Sequence, residues 1–102
     1  MARSAVMKQP CVYILSNRRH GTLYVGVTSD VIRRVWEHRT DAVEGFSRRY
    51  QLHRLVYFEF HDTMERAIQR EKQLKLWRRA WKIQLIEGGN PDWRDLYETL
   101  MP

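Results

Sequence analysis

Three short runs of β-branched and aromatic residues limit what this chain can fold into. Residues 11–15 (Cys-Val-Tyr-Ile-Leu), 23–27 and 55–60 (Leu-Val-Tyr-Phe-Glu-Phe) have the length and composition of strands. A polar stretch containing Asn17 and Gly21 separates the first two, and both residues suit turns. Strands joined so closely form an antiparallel hairpin. Thr28, Ser29 and Asp30 offer oxygens that can cap a helix to about residue 39. Residues 40–52 show no clean period and predict a loop or short helix. Asp62 with Glu65 resembles a capping box opening a helix over 62–77. A further helix over 79–87 stops at Gly88-Gly89-Asn90-Pro91, and a short one is expected over 92–100. The expected fold is α+β, a small three-stranded, mostly antiparallel sheet flanked by helices. It forms one domain over 10–98, between a loose lead-in (1–9) and a tail (99–102).

Composition narrows the function classes. With 43% hydrophobic and 29% charged residues in 102, the chain is too apolar for a disordered tail. No apolar run reaches the roughly 18 residues that a spanning helix needs. Residues 1–10 lack the apolar core of a signal peptide. Cys11 is the only cysteine, which excludes an internal disulfide and a multi-cysteine zinc site. A reduced, cytoplasmic setting is expected. Eighteen Lys and Arg against twelve Asp and Glu give +6 and a pI near 9.9, a balance that attracts polyanions.

Several residues sit where ordinary packing would not put them. Arg34 and His38 share a helix face with Val31 and Val35. Glu71 falls within the stripe Met64, Ala67, Ile68 and Leu74, where it loses water unless paired or metal-bound. Two readings follow. Arg34 and Glu71 form a buried salt bridge that ties two helices, or the carboxylate holds a divalent cation while the guanidinium meets an anion. Strand alternation places Tyr24 and Gly26 on one face and Leu23, Val25 and Val27 on the other. A glycine inside a strand suggests a close approach to its backbone. Together with Tyr13, these anomalies are expected to converge on one face of the sheet. His20, His53 and His61 lack metal-ligand spacing and read as surface residues.

At these positions the chain resembles the GIY-YIG nuclease family. Cys11-Val12-Tyr13 stands where the family has Gly-Ile-Tyr, and Tyr24-Val25-Gly26 where it has Tyr-Ile-Gly. Arg34, His38, Glu71 and Asn90 fall where the family places its arginine, a histidine or tyrosine, a metal-binding glutamate and a polar residue. The resemblance spans about residues 10–98. It is greatest to short stand-alone bacterial members related to the nuclease domain of the UvrC repair protein. It implies a metal-dependent endonuclease of DNA repair or recombination, acting on branched, nicked or single-stranded DNA with one Mg²⁺ or Mn²⁺. The catalytic set would be Tyr13, Tyr24, Arg34, His38 and Glu71, with Tyr24 as general base and Glu71 as metal ligand. Gly26 and Asn90 would be structural or supporting. Arg18, Arg19, Arg48 and Arg49 in loops, with Lys72 and Lys75, would contact phosphates. The alternative is a catalytically silent nucleic-acid-binding module of the same fold that needs a partner.

Overall fold

The computed structural model describes residues 8–42 and 45–101. Most of the lead-in expected over 1–9, and the last residue of the tail, lie outside the described residues. The elements run β1 (Cys11–Ser16), β2 (Leu23–Thr28), α1 (Val31–Arg39), α2 (Phe46–Arg49), β3 (Arg54–Phe60), α3 (Met64–Leu76), α4 (Arg79–Gly89) and a 3₁₀ turn (Tyr97–Leu100). The sheet order is β2-β1-β3, with both pairings antiparallel. The α+β expectation and the hairpin therefore hold.

All six residues of β1 are buried, because the strand packs on both faces. Cys11, Tyr13 and Leu15 meet Val31 and Val35 of α1, together with Leu52 and Leu55. Val12 and Ile14 meet Ala67 and Leu74 of α3, Ile86 of α4 and Trp93. Burial this deep pushes the Cys11 thiol up to about 12, so it stays protonated and inert.

Three expectations need correction. The α3 cap is Thr63, whose side chain accepts from the Arg66 backbone N–H, so Asp62 and Glu65 do not form a capping box. The α3 seam is Ala67, Glu71 and Leu74, while Met64 and Ile68 are exposed. Residues 92–96 are not helical, and only Tyr97–Leu100 winds, as a 3₁₀ helix. There the side chains of Asn90 and Asp95 take up backbone groups that a helix would have paired internally. Asp95 accepts from the N–H groups of Leu55 (3.2 Å) and Tyr97 (3.0 Å), and the Leu96 N–H donates to the Leu55 carbonyl (2.7 Å). The segment is thereby laid along the outer side of β3.

β3 carries a bulge, since Ile14 faces Tyr57 but Leu15 faces Leu55. Val56 is the extra residue, and its carbonyl accepts from the Asn90 amide at 3.2 Å. The same amide nitrogen donates to the Arg94 carbonyl (2.8 Å), and the Asn90 side-chain Oδ1 accepts from the Arg94 N–H (3.0 Å). Asn90 thus joins the bulge to the C-terminal segment.

Candidate active site

Register places Tyr13 of β1 opposite Gly26 of β2. A β-carbon at Gly26 would lie 2.5 Å from the Tyr13 hydroxyl oxygen. The close approach expected at this glycine is therefore made by the chain's own tyrosine ring. Lacking a side chain, Gly26 leaves room for that ring on the face where Tyr24 also lies. The two tyrosine rings stand 6.3 Å apart, and His38 of α1 lies 5.9 Å from Tyr13 and 5.4 Å from Tyr24.

His38 reaches this position because residues 31, 35 and 38 form the buried face of α1. Its Nε2 lies 3.1 Å from the Tyr13 hydroxyl and its Nδ1 lies 2.7 Å from the Ser47 hydroxyl, all three groups being buried. Burial, reinforced by the charge of Arg34, lowers the His38 pKa to about 4. The ring is neutral at neutral pH, so one nitrogen donates and the other accepts. Ser47, His38 and Tyr13 therefore form a directed chain in which reversing one hydrogen bond reverses the other. Burial is also the main cause raising the Tyr13 phenol above its usual value. Nearby Tyr24 adds to the rise, and Arg34 opposes it.

Arg34 is half-buried. Burial works against its charge, but the Tyr13 phenol and Glu37 more than compensate and raise its pKa. Its carboxylate partner is Glu37, at 3.2 Å on the same helix. The Arg34–Glu71 salt bridge is absent. Ser47 and Glu37 both escaped the sequence reading. Only the i, i+3 spacing from Arg34 pointed to Glu37, and nothing local pointed to Ser47.

Glu71 does not join Tyr13, Tyr24, Arg34 and His38 on their face of the sheet. It lies on α3, which packs against β1 and β2 from the other side, so the expected convergence of all the anomalies on one face fails. Among the described residues no hydrogen bond or ion pair links it to that group. Its side chain is 12% exposed, and its ionic partner is Lys75 at 2.6 Å. Lys75 is half exposed beyond this pair. Among the described residues no three His, Cys, Asp or Glu side chains cluster as a metal cage. A single carboxylate suits Mg²⁺ or Mn²⁺, which retain waters and take further oxygens from a substrate phosphate.

Arg18, Arg19, Arg48, Arg49 and Lys72 are all exposed. The bonds of Asn90 go to the β3 bulge and Arg94. His20 and His61 pair with Glu87 and Glu59, and His53 pairs with Asp41. No helix among the described residues is long and apolar enough to cross a membrane.

Residues 9–84 match the GIY-YIG catalytic domain. A UPF0213 protein of Haloquadratum walsbyi is 41% identical over 68 residues, 67% of this chain and 76% of that one. A UPF0213 protein of Staphylococcus saprophyticus is 30% identical over 83 residues, 81% of this chain and all of the other. The solution NMR structure of a UPF0213 protein from Bacillus halodurans superposes with a TM-score of 0.53 at 29% identity. That match covers 85% of this chain and 92% of the other.

Proposed function

The chain belongs to the GIY-YIG family, and from that membership we propose that it is an endonuclease hydrolysing phosphodiester bonds in DNA. The proposal extends to a role in repair or recombination and to Mg²⁺ or Mn²⁺ as the cation. The observation that carries it is the buried contact of Tyr13 with His38, with Tyr24 and Arg34 as neighbours, at the family's motif positions.

Hydrolysis needs a base for the attacking water and positive groups for the charge that builds on phosphate. Tyr13 stays protonated and buried, so its hydroxyl acts through its neighbours Arg34 and His38 rather than by touching the phosphate. Tyr24 is the base. Arg34 is close enough to interact with both tyrosines. Arg34 also presents planar donors to the scissile phosphate. His38, uncharged, holds the Tyr13 hydroxyl in place. Family membership assigns Glu71 to the divalent cation, which when bound would supply Lewis-acid chemistry. The carboxylate lies across the sheet from Tyr24 and Arg34 and is paired with Lys75, so Tyr24 and Arg34 act on the phosphate without contact to it.

The test is metal-dependent cleavage of a panel of branched, nicked and single-stranded DNA. Glu71→Gln and Tyr24→Phe are expected to abolish cleavage while preserving the circular-dichroism melt. Wild-type protein that cuts nothing with either cation would refute the proposal. The Lys75–Glu71 ion pair favours the second reading, a silent binding module, because it occupies the carboxylate. Nanomolar DNA binding without cleavage, unchanged by Glu71→Gln, would select that reading.

A further inference from the structure

A polar cleft of about 550 Å³ opens where the β1–β2 turn, the end of α1 and the start of β3 meet. Three guanidiniums from these three places line it, those of Arg18, Arg39 and Arg54. Two are held by protein acceptors. Arg39 pairs with Asp95, and Arg54 donates to the Trp93 carbonyl at 3.0 Å. Asp95 also lines the cleft, but its other oxygen is taken by two backbone N–H groups. The Arg18 side chain has no hydrogen bond or ion pair among the described residues.

An aromatic row joins this cleft to the catalytic face. Tyr50 lines the cleft and lies 4.7 Å from Phe46, which stacks on Tyr24 at 6.3 Å. Phe46 and Tyr50 are 48% and 42% exposed, so their ring faces are available to a ligand. A nucleotide combines the two chemistries on offer, since its phosphate suits the guanidiniums and its base suits an aromatic face.

We propose that this cleft binds a backbone phosphate of the substrate strand flanking the scissile one, with the adjoining base against Tyr50 and Phe46. The cleft is then a positioning site, and it rests on the nuclease reading only for the identity of the scissile bond. Arg39, Arg54 and Tyr50 join Arg18 as binding residues, whereas Arg19, on the same turn, does not line the cleft.

Binding and turnover separate the two proposals. The probe is a fluorescein-labelled 12-mer oligodeoxynucleotide, followed by anisotropy in EDTA across a salt series. Kinetics with Mg²⁺ follow on the same oligomer. Arg18→Gln is expected to weaken binding about tenfold, the loss of one charge-assisted hydrogen bond. It should also flatten the log–log salt slope by about 0.7–0.9, one phosphate contact. Tyr50→Leu is expected to weaken binding at least fivefold, the low end for base stacking on an aromatic ring, with little change in slope. Both variants should raise KM and leave kcat unchanged. Arg66→Gln, on exposed α3 surface, makes the same change of charge away from the cleft and should do neither. Absent binding by the wild type, no loss in either cleft variant, or an equal loss in Arg66→Gln would overturn the cleft. Binding through the cleft without cleavage would instead leave the cleft standing and refute the nuclease.

Discussion

Lowering the pH from 7 to 4 should remove stability through one residue, His38. Its imidazole is buried and titrates at about 4 in the fold, against 6.5 for an ordinary histidine. Above pH 6.5 it is neutral in both the folded and unfolded states and adds no pH dependence. Between 6.5 and about 4 the unfolded chain takes up a proton that the native state refuses, so stability falls as pH falls. At 1.36 kcal/mol per pKa unit, the gap between 6.5 and about 4 amounts to about 3 kcal/mol, lost at up to ~1.4 kcal/mol per pH unit. Glu59 acts in a separate window. Burial raises its pKa, but Tyr57, His61 and Arg70 outweigh this and hold it below the usual carboxylate value. Its contribution is therefore present above about pH 4.5 and lost as pH falls through its folded pKa. The assay is urea unfolding at half-unit steps of pH for the wild type and for His38→Gln, which cannot titrate. The difference between the two should shrink by about 3 kcal/mol from pH 7 to pH 4. A difference that stays constant with pH, or an NMR titration placing the native His38 near 6.5, would refute the reasoning.

Other perturbations address neighbouring links. Gly26→Ala should cost about 1–3 kcal/mol by overpacking, with Gly26→Ala/Tyr13→Leu recovering part of it in thermal melts, whereas full additivity would refute the contact. Ser47→Ala should lower kcat about tenfold with KM unchanged, in line with a hydrogen-bond contribution of ~1.4 kcal/mol. The ¹⁵N shifts of His38 should then report a mixed tautomer, and an unaltered tautomer would exclude the directed chain. Thr63→Ala should lose about 1 kcal/mol of stability, with Thr63→Asp close to wild type, because the cap oxygen serves the Arg66 N–H.

Much of the architecture follows from periodicity. The strand runs and their alternation identify the face shared by Tyr24 and Gly26, and the spacing of Val31, Val35 and His38 identifies the buried side of α1. The polar C-terminal segment is less legible, because Asn90 and Asp95 combine local bonds to Arg94 and Tyr97 with contacts to β3 that lie far away in sequence. Of the two readings of the inward charges, the salt bridge between Arg34 and Glu71 does not form. Arg34 and Glu71 appear complementary along the chain, but the sheet lies between them, and each takes a nearer partner on its own helix. Ser47 was illegible, since its role exists only once α2 docks beside His38.

The double-sided burial of β1 has a kinetic consequence. Amides in a strand that anchors both cores exchange with solvent only on global unfolding, whereas short surface segments open at much lower free energy. Tyr13 sits on that strand, while Phe46 and Tyr50 lie in and just after the four-residue α2, and Arg18 sits in a turn. Openings that release α2 or the turn therefore leave the Tyr13 backbone anchored. The residues proposed to hold a nucleotide thus sit on the segments that open first, and the strand behind them stays fixed.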